Sequence, residues 1–171
     1  FNSLKDLYSN YQKKGQTIHH QETSRKLVKK IQKKIKNIQK KFQTEKNSSP
    51  TVLAWLPDGT CIGKQTLLND VINTCGGINL LTQKGWHKLS RENLALLKPK
   101  WLVTVGDQKQ KEKILSQLKK TPILKGFPAV KKNQVIILSG REMSTQSSFI
   151  TKTISHVCQR FHENQKEKIK S

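Results

Sequence analysis

Long apolar segments and aromatic residues are both scarce in this chain of 171 residues. It has no run of about eighteen apolar residues, the length that a membrane-spanning helix requires. The three tryptophans, two tyrosines and five phenylalanines do not alternate with the lysines. Because proteins that bind single-stranded nucleic acid need aromatic side chains on which bases stack, this absence argues against that class.

Residue patterns that carry catalytic or metal chemistry are also missing. The cysteines and histidines show no CxxC pair and no spacing of the kind that binds zinc. No Ser-His-Asp, Cys-His or paired-carboxylate arrangement stands out. The segment DGTCIGKQT at residues 58–66 fails as a phosphate-binding P-loop, because Asp58 stands where a glycine is needed and Gln65 where Ser or Thr is needed. We therefore expect neither an enzyme nor a resident cofactor or metal.

A secretion signal is not evident, since the chain starts at Phe1 without a basic region followed by an apolar one. The sequence thus fits either a cytoplasmic protein or a mature or trimmed product. Its length favours a single domain that is large enough to bury a core.

Acidic residues are few. Eleven Asp and Glu stand against 33 Lys and Arg, for a formal net charge of +22. Such a charge attracts polyanions, whether nucleic acid or an anionic surface. The interpretation we favour is that lysine simply fills the solvated faces of the fold, and a basic nucleic-acid or anionic-surface binding protein is the alternative.

Apolar residues at helical spacing predict two helices in residues 1–50. The first carries Leu4, Leu7, Tyr8 and Tyr11 and closes near Gly15. The second, capped by Thr23 or Ser24 and ending near Gln43, is long and amphipathic, with apolar positions at Leu27, Ile31, Ile35, Ile38 and Phe42. Its lack of glutamate disfavours a coiled coil.

Residues 51–165 alternate between strand and helix patterns. Strands are expected at residues 51–55, 101–105 and 134–138, and helices at 66–74, 109–119 and 148–164, with a short helix capped by Ser90. Residues 56–64, the segment around Trp86 and residues 140–144 are expected to be loops. The fold class is therefore α/β, a small, mostly parallel sheet flanked by helices and preceded by the long amphipathic helix. Residues 166–171 form a charged tail.

Residues 66–105 carry the most specific signal. Their TCGGIN turn, GW loop, LSRENLALLKP helix and WLVTVG strand, in this order, resemble the C-terminal lobe of the ABC-type substrate-binding proteins that capture cobalamin, ferric siderophores and haem. The likeness runs from about Leu4 to about Phe161. It implies one lobe of a class III periplasmic binding protein, with the long helix as the spine between two lobes and the N-terminal lobe absent from this chain.

The resemblance also implies where the functional residues lie. Ligand contacts are expected from Trp55, Pro57, Asp58, Trp86, Arg141 and Glu142. Glu92 corresponds to a glutamate that docks on a membrane permease, and its alternative role is compensation of a helix dipole. Cys75 and Cys158 match a disulfide of cobalamin-binding relatives, with two buried thiols as the alternative.

Two further residues, and the alternative roles of three expected ligand residues, complete these expectations. Cys61 is left unpaired in the expected cleft loop, and His87 is solvated rather than bound to metal. Core packing is the alternative for Trp86, and a surface ion pair is the alternative for Arg141 and Glu142.

The function that the resemblance implies is ligand capture for an ABC importer. The protein would be periplasmic or otherwise extracytoplasmic, monomeric, and without nucleic acid as a partner. It would deliver an iron-siderophore, haem or cobalamin-type ligand to a permease in the inner membrane. Because the family's ligand contacts come from both lobes, this chain alone is expected to bind weakly or not at all.

Overall fold

A computed structural model describes residues 3–17, 20–42, 49–144 and 149–168. Its helices are α1 Leu4–Thr17, α2 Gln21–Lys41, α3 Leu67–Thr74, α4 Arg91–Leu96, α5 Lys111–Lys120, α6 Pro128–Lys131, α7 Gly140–Ser144 and α8 Phe149–Lys168. Its strands are β1 Thr51–Trp55, β2 Thr60–Ile62, β3 Ile78–Asn79, β4 Trp86–Lys88, β5 Trp101–Val105 and β6 Val135–Leu138. Within these ranges, no helix has the length and apolar character needed to cross a membrane.

One six-stranded sheet organises the fold. Five strands lie in the order β4-β2-β1-β5-β6, and β3 pairs with the first half of β1. The central strands β1, β5 and β6 are parallel, whereas β2 is antiparallel to both of its neighbours. The predicted fold class, a mostly parallel sheet flanked by helices, is confirmed.

Helices cover both faces of the sheet. On one face α1, α2, α3 and α8 enclose a core that includes Val52 and Val103. On the other face α5, α6 and part of α4 enclose a second core around Leu53 and Leu102. The alternating residues of β1 and β5 are therefore buried on both sides, which is why these strands are continuous apolar runs in the sequence.

The two N-terminal helices differ from their prediction in detail. α1 continues past Gly15 to Thr17, and α2 begins at Gln21 without a side-chain cap, so the capping role predicted for Thr23 or Ser24 is wrong. Gly15 instead permits a close approach of the helices, because a Cβ there would lie 2.2 Å from the Ser24 Oγ. The predicted end near Gln43 lies outside the described residues.

The buried face of α2 is also turned slightly from the predicted one. Val28, Ile31 and Ile35 are buried, whereas Leu27 is 38% exposed. The apolar stripe of the helix thus starts one residue later than the sequence pattern suggested, because Val28 lies within the arc that faces the core.

Residues 56–64, predicted as a loop, form a tight turn followed by β2. The Gly59 N–H donates to the Leu56 carbonyl at 2.9 Å, and Gly59 adopts a φ of 87°. A Pro-Asp-Gly sequence favours such a turn, because proline sets the first φ and glycine accepts the left-handed conformation. Residues 140–144, also predicted as a loop, form the short helix α7.

A disulfide joins two of the helices that cover one face of the sheet, α3 and α8. Cys75, just after α3, is bonded to Cys158 of α8, with the Cα atoms 4.8 Å apart. Cys61 is free and fully buried in β2, so its predicted place in a cleft loop is wrong. It lies on a strand because the chain reverses at the Pro57–Gly59 turn.

Candidate functional site

The carboxyl ends of the parallel strands bring three connections to one edge of the sheet. These are the turn after β1, the segment beginning at Gly106 after β5, and Ser139 with α7 after β6. β4 runs in the same direction as β1, because two antiparallel pairings separate them, so its end at Lys88 reaches the same edge. Open α/β sheets bind ligands at this edge. With strands about 4.8 Å apart, it spans about 19 Å from β4 to β6.

The turn after β1 presents two of the predicted ligand residues. Pro57 and Asp58 are exposed and Trp55 is half-buried. Asp58 accepts hydrogen bonds from the Thr60 N–H at 3.0 Å and the Thr60 hydroxyl at 2.9 Å. The backbone hydrogen bond from Thr60 is the main cause that lowers the pKa of Asp58, so this carboxylate is an anion at the rim.

Lys88 is a member of this edge that the sequence analysis missed. Its charge further lowers the pKa of Asp58, and its register partner is Thr60 on β2. The proximity depends on the β2–β4 pairing, which links residues 28 positions apart. The segment WHK has only three residues and no alternation of apolar and polar side chains, so no local pattern indicates a strand there.

Trp86 lies on the edge strand β4 and is 56% exposed, so it does not pack in the core. Its register partner is Ile62, which is paired in turn with Ala54 of β1. Trp86 is therefore two residues from Lys88, about 7 Å further along the strand. Its large side chain is available at the flank of the site, close to the rim but not at it.

The carboxylate of Glu142 forms hydrogen bonds with neighbouring residues of the protein. Ser139 and Glu142 form a capping box at the start of α7, in which the Glu142 N–H donates to the Ser139 Oγ and the Ser139 N–H donates to the Glu142 carboxylate at 2.8 Å. The other carboxylate oxygen lies 2.9 Å from the His156 Nδ1. Burial alone would raise the pKa of Glu142, but the hydrogen bonds from Ser139 and His156 outweigh it and hold the pKa below its ordinary value.

The Ser139, Glu142 and His156 side chains do not form a catalytic triad. The Ser139 hydroxyl and the imidazole of His156 both contact the carboxylate, which lies between them. A nucleophilic serine needs the imidazole next to its hydroxyl to accept the proton. The arrangement therefore stabilises the end of β6 and the start of α7.

Arg141, beside Glu142, is exposed and its guanidinium lies 5.5 Å from the centre of the Phe149 ring. A surface ion pair between Arg141 and Glu142 was the alternative to a ligand role. The Glu142 carboxylate instead contacts Ser139 and His156. Arg141 adds a positive charge to the far end of the edge.

Glu92 is fully exposed in the first turn of α4. The Ser90 Oγ caps this helix by accepting from the Asn93 N–H at 3.2 Å, as the sequence predicted. The Glu92 backbone N–H and then the Ser90 hydroxyl lower the pKa of the Glu92 carboxyl. Leu96, one helical turn later, is 77% exposed and shares this outer face.

The segment from Gly63 to Thr66 lies away from this edge, because β2 runs back along β1. This segment is therefore not part of the edge at which open α/β sheets bind ligands. A network of buried amides fixes this return: the Asn79 Nδ2 donates to the Ile62 carbonyl at 2.9 Å and to the Asn69 Oδ1 at 3.2 Å.

No metal centre is formed by the part of the chain that the structure describes, which contains no group of three or more His, Cys, Asp or Glu side chains able to hold an ion. His87 is half-buried, and its Nε2 lies 2.7 Å from the Lys84 carbonyl oxygen. The edge thus combines half-exposed aromatic surface with exposed carboxylate and cationic side chains, an arrangement suited to holding a ligand.

Comparison with solved structures supports the same fold. A possible iron-binding (periplasmic solute-binding) protein from Staphylococcus epidermidis superposes with a TM-score of 0.83 at 20% identity, over 94% of this chain and 63% of that one. S. aureus IsdE, solved with haem, gives 0.78 at 20% identity, over 94% and 66%. An ABC transporter substrate-binding protein from Listeria monocytogenes gives 0.81 at 20% identity, over 94% and 65%. The chain thus spans less than two thirds of each of these proteins.

Family membership rests on the sequence. No curated protein matches the chain. The family model described as "Periplasmic binding protein" matches residues 1–142, which is most of the chain. The resemblance seen in the TCGGIN turn and the LSRENLALLKP helix is therefore confirmed, and this chain belongs to the periplasmic binding protein family.

Proposed function

We propose that this chain is part of the extracytoplasmic substrate-binding component of an ABC importer. The observation that carries the proposal is the exposed rim at the carboxyl edge of the sheet, in a chain whose family consists of solute-binding proteins. Because the chain spans only 63–66% of the three relatives compared above, the remaining enclosing surface would come from a second lobe. The protein would work as a monomer.

The ligand class we favour is a metal chelate with acidic groups. Lys88 and Arg141 place two cations at opposite ends of the edge, where they would attract carboxylates such as haem propionates. Trp86 and Trp55 offer flat apolar surface for a macrocycle to pack on. Structural relatives include a haem complex and a protein of an Fe3+-hydroxamate transport system, so haem and ferric siderophores rank ahead of cobalamin.

Tryptophan fluorescence of the 171-residue chain tests this proposal. Hemin, a ferric hydroxamate and cyanocobalamin would each be titrated into it, and hemin or the hydroxamate should quench the emission saturably. We expect a dissociation constant weaker than about 1 μM, because one lobe encloses only part of a ligand. Arg141→Gln should weaken hemin binding about five- to tenfold, corresponding to about 1 kcal/mol.

Arg25→Gln is the matched control, because this arginine is exposed on α2, which packs on one face of the sheet rather than at its edge. It should bind hemin like the wild type. If none of the three compounds quenches the emission even at about 1 mM, the proposed ligand class is wrong.

Glu92 is the residue we propose to contact the permease, with Leu96 beside it as an apolar anchor. An exposed carboxylate fixes orientation and speeds encounter with a positively charged pocket. Uptake of the bound ligand would be measured in cells whose only full-length copy carries Glu92→Gln. Uptake should fall about tenfold while ligand binding by the purified protein is unchanged.

Glu112→Gln removes an exposed carboxylate from the first turn of α5, a comparable position on another helix, and serves as the control. Equal uptake by both variants would show that Glu92 has no docking role.

A further inference from the structure

The positive charge of the chain is concentrated on α2. This helix of 21 residues carries nine Lys and Arg and one acidic residue, Glu22, which gives it a charge of +8 out of the total +22. The other 150 residues carry the remaining +14. Charge per residue on α2 is therefore about four times that of the rest, which a uniform filling of solvated faces with lysine does not explain.

The lysines of α2 form one continuous outward stripe. Val28, Ile31 and Ile35 are buried and define the inward face. At 100° per residue the opposite face consists of exposed cations, namely Lys26, Lys29, Lys30, Lys33 and Lys40, with Lys36 beside them. We call these six residues the lysine stripe. With a rise of 1.5 Å per residue it extends about 21 Å from its first to its last member.

The one acidic side chain on α2 itself does little to neutralise the stripe. Glu22 pairs with Lys26 at 2.7 Å, and both side chains are more than 70% exposed. Such an exposed pair is weak and screened by salt, so Lys26 can still contact another anionic group. Five members of the stripe remain beyond the reach of this carboxylate on the same helix.

The stripe suits a flat, densely charged surface. α2 has no aromatic residue, so it offers no platform for stacking bases. Its apolar face is already packed on the core, so it has no free apolar face to insert into a bilayer, unlike interfacial amphipathic helices. What it offers is a row of ammonium groups that contact anionic groups without penetrating.

We propose that the lysine stripe docks the protein on anionic phospholipid headgroups of a membrane surface. The membrane is favoured over nucleic acid because the chain belongs to a periplasmic family and α2 lacks aromatic residues. The contact is electrostatic and reversible. It would raise the concentration of the protein near the bilayer, and it does not depend on which ligand the cleft holds.

Co-sedimentation of the 171-residue chain with vesicles tests the proposal. Phosphatidylcholine vesicles with and without phosphatidylglycerol would be compared at low and at high salt. The stripe variant is Lys29→Gln, Lys33→Gln and Lys40→Gln together. The control is Lys119→Gln, Lys125→Gln and Lys132→Gln, which removes the same charge from exposed positions beside the core on the other side of the sheet.

Binding should require phosphatidylglycerol and disappear at about 1 M salt, where the Debye length falls to about 3 Å. Each lysine near an anionic bilayer contributes about five-fold to partitioning, so the stripe variant should bind on the order of 100-fold more weakly. The control variant should lose only a few-fold. Matching circular dichroism melts would show that both variants fold.

Three outcomes would overturn the proposal. Binding that is independent of phosphatidylglycerol is one, and an equal loss in the two triple variants, which would mean that only net charge matters, is another. The third is tighter binding of the wild type to double-stranded DNA or RNA than to the anionic vesicles at the same salt, which would assign the stripe to nucleic acid.

Discussion

At the scale of single residues, Glu142 illustrates how a local role competes with a ligand role. Its position after a parallel strand indicates a ligand contact, whereas in the fold it closes a capping box with Ser139, three residues earlier. The structure places the carboxylate against Ser139 and His156. A direct contact between Glu142 and a ligand would have to replace these hydrogen bonds.

Replacement of Glu142 by glutamine tests the structural role. Because the folded pKa of Glu142 lies below its ordinary value near 4.5, its charge stabilises the fold above that pH. The side chain is partly exposed, so we expect a loss of only about 1 kcal/mol at neutral pH. This difference from the wild type should vanish as the pH falls through the lowered folded pKa.

Urea unfolding of both proteins at neutral and acidic pH would measure this difference. Glu112→Gln, at an exposed site in the first turn of α5, should change stability by less than about 0.5 kcal/mol. A Glu142→Gln difference that persists unchanged at acidic pH would contradict the ionic origin of the effect.

At the scale of elements, the sequence predicted the strands that are buried on both faces of the sheet. β1, β5 and β6 are continuous apolar runs because helices cover them on each side, and all three were recognised. β2 and β4 were taken for loops, because each has three residues and β4 is half-exposed. Their identity as strands depends on the pairing of β2 with β1 and of β4 with β2, which no local pattern contains.

The candidate site was predictable only where its residues follow strands that the sequence pattern identified. Residues that directly follow a recognised strand, such as Asp58 and Arg141, were placed at the correct edge. Lys88 was missed and Cys61 was misplaced, because the positions of both depend on the reversal of direction at β2. Local sequence patterns predict where strands end, but they do not predict the register in which two strands of a hairpin pair.

At the scale of the whole molecule, the Cys75–Cys158 bond links two helices across 83 residues of chain. In the chain-entropy model, closing a loop of this length stabilises the fold by restricting the unfolded chain, and the typical effect of a disulfide is about 2–4 kcal/mol. Reduction should therefore lower the free energy of unfolding by that amount. The double variant Cys75→Ala, Cys158→Ala should be indifferent to reductant, which urea unfolding with and without dithiothreitol would show.

Thiol titration of protein prepared without reductant examines the bond directly. Cys61 is buried, and desolvation raises its pKa to about 11, so the folded protein should react with no thiol reagent. In denaturant one thiol should react, because only Cys61 is unpaired among the three cysteines, and after reduction all three should react. Three reactive thiols in denaturant before reduction would mean that the bond does not form. α3 and α8 would then be held on the sheet by packing alone.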